Sequence, residues 1–273
     1  MERELSLLTR RSFLSASALA LGTVAVADSG FAFAQLTKKE AEIAANIPTA
    51  DTQLKFNPDG SLRPFKGNTV ICHLQPQGST RDAVEQIAID LKRSSLIHKI
   101  ALLPAESYHM TVYPGVNDQG RDITGWPSDI SKDASIEECT RIVGERMRSF
   151  HLECQLPLRM KVDETKTLEN PRASTLRMIG SDAGEEMKIR KVRDRLVDVF
   201  GFRDKQHDEY GFHVTLAYQL QRFTPAEQTE YRAILVKNVP KIIASAPAFE
   251  FANPEFCTFP DMFRFDIQML LAT

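Results

Sequence analysis

Hydrophobic and polar positions along the chain follow two periods, which together predict a mixture of helices and strands. Apolar residues at the 3.6-residue spacing predict helices over about 79–92, 136–150, 185–200 and 225–236. Runs rich in β-branched or aromatic residues predict strands near 69–74, 99–103, 108–113, 156–166, 174–179, 212–218, 249–256 and 263–270. The strands near 156–166 and 174–179 are expected to form a pair turned at Asn170-Pro171. A Gly-, Pro- and Asp-rich connection over 114–134 is long enough to suggest a functional or mobile loop.

The order of these elements repeats along the chain. Thr69 begins one strand and is followed by His109 after 109 − 69 = 40 residues, and Thr175 begins another and is followed by His213 after 213 − 175 = 38 residues. Each unit ends in the same pattern, aromatic-His-apolar-Thr-apolar, at 108–112 and at 212–216. The matched spacing and endings predict two related lobes.

Each of these endings can present a catalytic pair on one side of a strand. Because side chains alternate between the two faces of a strand, His109 and Thr111 share one face, and His213 and Thr215 do the same. Two imidazoles converging with two hydroxyls suit phosphodiester cleavage, since histidine can serve as base or acid near neutral pH and hydroxyls can bind phosphate oxygens. A single His-x-Thr is common by chance, whereas two copies at matched positions favour a catalytic function.

At these residues the sequence resembles the 2H phosphoesterase superfamily, the LigT-like and cyclic phosphodiesterase proteins, whose signature is a pair of His-x-Ser/Thr motifs. The stretch 56–60 also looks like a little-studied branch of that superfamily. The resemblance implies an α+β bilobal duplicated fold in which two antiparallel sheets form a central groove, with helices on the outside. It implies that His109 and His213 are the acid/base pair and that Thr111 and Thr215 bind phosphate. It further implies hydrolysis of a small phosphodiester, such as a 2′,3′-cyclic nucleotide or an RNA end, with no cofactor and no metal.

Four other residues are candidates for substrate binding, each with a simpler structural alternative. Tyr113 follows the alternation of His109 and Thr111, so it is expected to line the groove and stack on a base, or else to be a rim or packing tyrosine. His73 lies on the first strand, and Arg177 holds the related place in the second unit, where it can pair with phosphate or simply be solvated. Trp126, in the long connection, is either a lid residue over the substrate or a residue that pins the loop to the body of the protein.

The N-terminus has the features of an export signal. Arg10 and Arg11 precede a short apolar, Ala-rich run that ends in an Ala-x-Ala site at 32–34. The paired arginines resemble the twin-arginine class, which implies export in the folded state to the periplasm or the extracellular space. The predicted organisation is therefore a twin-arginine signal peptide at 1–34, an N-terminal arm with a short helix at 35–67, and a two-lobed phosphoesterase-like domain at 68–273.

Composition and charge indicate which class of substrate or partner the protein binds. The chain has 273 residues, a formal net charge of −2 and 42% hydrophobic residues, values typical of a soluble globular protein. Proteins that hold duplex nucleic acid are usually strongly basic, so we expect a small phosphorylated or nucleotide substrate, no membrane contact in the mature form and a monomer. The four cysteines lack metal-ligand spacing and are predicted to be core residues.

Two alternatives stay open on the sequence alone. The first is an exported protein that binds a phosphorylated or nucleotide ligand on the same scaffold without turnover. The second is a metal site built from His109 and His213 with a carboxylate such as Asp208. The threonine partners argue against that metal site, since hydroxyls are poor ligands for the usual metals.

Overall fold

The computed structural model describes residues 48–122, 125–169 and 174–273. The predicted signal peptide, the first part of the arm and the turn at Asn170-Pro171 lie outside the described residues. Within them, the fold is a mixture of helices and antiparallel strands, with one curled sheet. No helix in this part of the chain is both long and apolar enough to cross a membrane.

Six α-helices are present among the described residues, and their termini follow ordinary capping chemistry. They are α1 (Ala50–Lys55), α2 (Ser79–Arg93), α3 (Ile136–Met147), α4 (Glu164–Glu169), α5 (Ala183–Phe200) and α6 (Pro225–Ser245). The last of them begins with a capping box between Thr224 and Glu227 and with a proline in its first turn. The predicted helices at α2, α3, α5 and α6 are confirmed, and α1 is a short helix within the predicted arm.

The strands form one antiparallel sheet rather than the two predicted sheets. They are β1 (Gly67–His73), β2 (Ile100–Leu102), β3 (His109–Tyr113), β4 (Leu158–Val162), β5 (Ser174–Gly180), β6 (His213–Gln219), β7 (Phe249–Phe251), β8 (Glu255–Phe259) and β9 (Asp266–Leu270). The order across the sheet is β7-β4-β5-β6-β3-β1-β8-β9, and β2 pairs with β6 away from this path.

The predicted repeat corresponds to two strand pairs inside this sheet. In the first unit β1 pairs with β3, and in the second unit β5 pairs with β6. The two pairs are joined where Met110 of β3 lies opposite Val214 of β6. The bilobal arrangement of two separate sheets is therefore not what the structure shows, because hydrogen bonding continues from one unit to the next through this junction.

Three predicted elements differ from those observed. The strand predicted over 156–166 ends at Val162, because the Asp163 side chain accepts a hydrogen bond from the backbone of Lys166 and starts helix α4. The strand predicted over 249–256 is divided into β7 and β8. The last helix continues past its predicted end at residue 236 to Ser245 and includes Pro240.

The hydrophobic core lies on the face of the sheet opposite to the two motifs. Met110 and Val112 of β3 are fully buried, as are Val214 and Leu216 of β6. Helix α5 packs against β3, β4 and β5, and α3 packs against β1, β8 and α5. All four cysteines are free thiols; Cys72, Cys139 and Cys257 are buried, as predicted, whereas Cys154 is only partly buried.

Candidate active site

The two His-x-Thr motifs lie side by side on neighbouring antiparallel strands. Strands β3 and β6 are antiparallel and pair at Met110 and Val214. The neighbouring residues are therefore also paired, so His109 lies opposite Thr215 and Thr111 lies opposite His213. The buried side chains of Met110 and Val214 point to the core, so all four motif side chains point to the other face. We call this the motif face, and the four motif residues on it are all partly exposed.

The two histidines have the same hydrogen-bond arrangement. Nδ1 of His109 lies 2.7 Å from the Ser107 carbonyl oxygen, and Nδ1 of His213 lies 2.8 Å from the Gly211 carbonyl oxygen. In each case the carbonyl belongs to the residue two positions upstream. A carbonyl can only accept, so each Nδ1 carries the proton and each neutral ring keeps its lone pair on Nε2 for a substrate.

The environment of the motif face keeps both imidazoles uncharged. Burial lowers the pKa of His109 to about 3; the Ser107 carbonyl opposes this shift, and repulsion from His73, His213 and Lys55 adds to it. Burial likewise lowers the pKa of His213, opposed by the Gly211 carbonyl and aided by the charges of Arg177 and Lys55. Both histidines are therefore neutral near pH 7 in the ligand-free site.

Two of the predicted substrate-binding residues lie on the motif face beside these histidines. His73 of β1 is opposite His109, with the two ring centroids 6.1 Å apart, and its Nδ1 contacts the Glu255 carboxylate. Arg177 of β5 is opposite His213. Strand pairing thus extends the motif face by one imidazole on one side and one guanidinium on the other.

Tyr113 does not point to the motif face, because a β-bulge reverses the alternation that predicted it. Ile71 pairs with Thr111 but Val70 pairs with Tyr113, so Val112 is an extra residue in β3. Tyr113 is fully buried on the core side, where its ring stacks on Phe200 at a centroid distance of 4.7 Å. The prediction that Tyr113 lines the groove is therefore wrong.

Trp126 anchors its own loop. Its indole nitrogen donates to the carbonyls of Ile130 and Ser131, at 3.1 and 3.2 Å, and the Arg121 guanidinium lies 4.2 Å from the centre of its ring. The side chain is buried. Its packing in the hydrophobic core agrees with a residue that pins the loop to the body, and none of these contacts involves a motif residue.

Several residues of the site carry no signal in the sequence pattern. Lys55 at the end of α1 is close enough to both motif histidines for its charge to lower the pKa of each. Phe265 packs on the His109 ring with centroids 4.2 Å apart, and the Tyr210 ring lies beside the His213 ring with centroids 6.3 Å apart. Tyr210, two residues before Phe212, could have been suspected from its nearness to the motif, but the other two are brought in by segments distant in sequence.

One group of potential metal ligands adjoins the site. His73, Glu255 and Cys257 have ligand atoms that all lie within 4.8 Å of one another. Burial, and then the Glu255 charge, raise the pKa of the Cys257 thiol far above its usual range, so the site as it stands favours a thiol that donates to Glu255 over a thiolate. Asp208, the carboxylate considered with the motif histidines, is exposed and forms an ion pair with Arg203 instead.

Comparisons with known proteins find a family model that matches part of this chain and a solved structure that is similar to it. Residues 55–170, which include the first motif, match the family model described as "2H-phosphodiest: Domain of unknown function (DUF1868)". The crystal structure of a conserved protein of unknown function, ATU0111 from Agrobacterium tumefaciens str. C58, is similar with a TM-score of 0.72 and 28% identity. The alignment covers 79% of this chain and 90% of that one. No curated protein matches the chain.

Proposed function

Since the family match supports membership of the 2H phosphoesterase superfamily, we propose that this chain is a metal-independent phosphodiesterase. Its substrate is a small cyclic or linear phosphodiester, of the type of a 2′,3′-cyclic nucleotide or an RNA end. One observation carries the proposal. Two His-x-Thr pairs face each other across β3 and β6, and each histidine has its Nδ1 proton fixed on a carbonyl two residues upstream.

The fixed tautomers explain how a neutral histidine can act as the base. An unprotonated Nε2 takes a proton from water as the water oxygen attacks phosphorus. The bond between phosphorus and the leaving oxygen breaks, and the other histidine gives a proton to that oxygen. The pKa values of both histidines are lowered in the ligand-free site, so the acid gains its proton together with the anionic substrate, whose charge favours imidazolium.

The threonine hydroxyls complete the site. Thr111 and Thr215 lie diagonally across the strand pair and can donate to the non-bridging phosphate oxygens, where charge resides in the transition state. The two histidines and two threonines therefore surround one phosphoryl group from both strands.

The N-terminal segment supports a proposal about where the protein acts. Its paired arginines, apolar run and Ala-x-Ala site support export by the twin-arginine machinery to the periplasm or the outside of the cell. The physiological substrate would then be a phosphodiester found in that compartment, where intracellular RNA ends are scarce. We also propose that the mature form is a monomer.

A panel of phosphodiesters tests the proposal. The purified chain is incubated in chelator with 2′,3′-cyclic nucleotides, ADP-ribose 1″,2″-cyclic phosphate, 3′,5′-cyclic nucleotides and short RNAs, beside the His109→Ala/His213→Ala double variant. We expect turnover of one class that persists in chelator and is lost in the double variant. Activity that disappears in chelator and returns with zinc would contradict metal independence. Tight binding of a panel member with no product would instead indicate a binding protein.

A further inference from the structure

A small pocket lies beside the second motif, between the arm helix and the sheet. It has a volume of about 220 Å³. We call it the arm pocket; its lining includes Asp51 and Lys55 from the arm, and Arg177, His213, Thr215 and Tyr218 from the sheet. Since His213 and Thr215 form part of its wall, anything bound there touches the reacting centre.

Lys55 is held in this pocket by the contacts that its ammonium group makes with Asp51 and Tyr218. Its Nζ lies 3.3 Å from the Tyr218 hydroxyl and 2.8 Å from Asp51, and 4.8 Å from the centre of the Tyr218 ring. Only 13% of the side chain is exposed. Burial alone would lower the pKa of Lys55, but attraction to Tyr218 and Asp51 and the hydrogen bonds to both outweigh it and raise the pKa, so the ammonium is charged.

Arg177 supplies a second cation on the opposite wall. It extends from β5 across from His213, and Asp51, the one carboxylate in the lining of the arm pocket, is ion-paired with Lys55. Arg177 also borders a second cavity, of about 410 Å³, whose lining includes the carboxylates of Glu169, Glu186 and Glu209 and no motif residue. Arg177 is thus shared between the arm pocket, which the second motif borders, and a larger cavity that the motif does not border.

Charge and size together indicate what the arm pocket accepts. Two cations face a single carboxylate, Asp51, so the charged side chains that line the pocket carry a net positive charge. Threonine hydroxyls and the Tyr218 phenol supply further donors around them. The volume is below the roughly 300–1,000 Å³ usual for drug-sized ligands, so a compact anionic group fits and a nucleoside does not.

From this arrangement we propose that the arm pocket is a subsite for a second anionic group, a phosphomonoester, on the substrate. The preferred substrate is then a phosphodiester that also carries a terminal phosphate. Lys55 and Arg177 bind the terminal phosphate, while the motif residues act on the diester. This inference rests on the proposed function, because it assigns a substrate class to that same site.

Matched substrates test the subsite kinetically. A 2′,3′-cyclic nucleotide with a 5′-phosphate is compared with the same nucleotide without it, using the full-length chain. We expect kcat/KM to be at least about tenfold higher with the 5′-phosphate. Lys55→Met and Arg177→Met should each reduce this ratio towards one, whereas Lys55→Arg should retain most of it. The control is Lys66→Met, which removes an exposed lysine that pairs with Glu137 outside the pocket.

A binding measurement separates this inference from the proposed function. Inorganic pyrophosphate and inorganic phosphate are titrated into the same proteins by calorimetry, which requires no turnover. We expect pyrophosphate to bind at least about tenfold more tightly than phosphate, with the difference lost in Lys55→Met and Arg177→Met. Equal affinity for the two anions, or a preference that survives in both folded variants, would overturn the subsite even if the diesterase activity is real. A Lys55-dependent preference for pyrophosphate, in a protein that turns over no substrate, would support the subsite and contradict the proposed function.

Discussion

At the scale of single residues, the motif face depends on two backbone carbonyls as much as on the side chains. Ser107 and Gly211 fix the proton of His109 and His213 on Nδ1, which determines the nitrogen that meets the substrate. Sequence alone predicted the four motif residues and their common face. It could not predict Lys55 or Phe265, because their positions depend on how distant segments pack.

The lowered pKa of His109 makes stability depend on pH. The ordinary pKa of 6.5 applies to the unfolded chain and a pKa of about 3 to the folded one. Between these values the unfolded chain binds the extra proton, so the free energy of unfolding falls as pH decreases from about 6.5 towards 3 and is unaffected by this group above that range. We expect His109→Gln to lose less stability than the wild type between pH 7 and 4.5 in urea unfolding.

The matched control for that experiment is His98→Gln, which changes an exposed histidine outside the motif face. Parallel losses of stability in the wild type and in His109→Gln would show that His109 is not the group responsible.

The threonine hydroxyls should act mainly on the transition state. Thr111→Val and Thr215→Val keep the shape of the side chain and remove one phosphate donor, so we expect kcat to fall by about 10²-fold with a smaller change in KM. Thr111→Ser and Thr215→Ser restore the hydroxyl and should recover most of the activity. Steady-state kinetics on the best substrate of the panel measures both effects; valine variants with wild-type kcat would refute the role.

At the scale of elements, alternation along strands was a reliable guide except where a bulge interrupts it. The extra residue in β3 turns Tyr113 into the core, and a second register shift occurs where Thr175 pairs with Thr215 and Ser174 with Ala217. A bulge adds a residue without changing local composition, so periodicity cannot reveal it. The sequence pattern also did not predict helix α4. Its capping residue, Asp163, directly follows strand β4, so the pattern predicts one continuous strand.

The segment after β3 depends on a glycine. Gly115 has φ of +63°, and a Cβ there would lie 2.0 Å from the Asn68 carbonyl oxygen. This close approach brings Val116 against β1, where the backbone of Asn68 donates to the Val116 carbonyl at 2.9 Å. We expect Gly115→Ala to cost about 2 kcal/mol or more in free energy of unfolding, measured by denaturant titration.

Gly201→Ala is the control for the effect of backbone conformation. Gly201 has φ of +70°, in the same left-handed range as Gly115, and the atom nearest to a Cβ there is a side-chain oxygen of Asp129 at 3.2 Å. A Gly115→Ala cost no greater than that of Gly201→Ala would mean that the contact with Asn68 is unimportant.

At the scale of the whole molecule, the continuous sheet has consequences for unfolding. Two separate lobes could unfold independently, but here the β1–β3 pair and the β5–β6 pair are hydrogen-bonded to each other at Met110 and Val214. The repeat visible in the sequence predicted the two pairs, and only the register shows that they share one sheet. We expect a single cooperative transition in scanning calorimetry, with calorimetric and van't Hoff enthalpies in agreement. Two resolved transitions would contradict this description.

The proposed mechanism requires that the two motifs act as one acid/base unit. The most direct test is kcat/KM of the wild type, His109→Ala, His213→Ala and the double variant on the best substrate of the panel, with circular dichroism to confirm folding. Each single variant should lose about 10³-fold or more, and the double variant should be little worse than the poorer single one, because either loss disables the same proton transfers. A single variant with near wild-type activity would contradict this mechanism. So would losses of activity that multiply in the double variant, as if the two histidines worked separately.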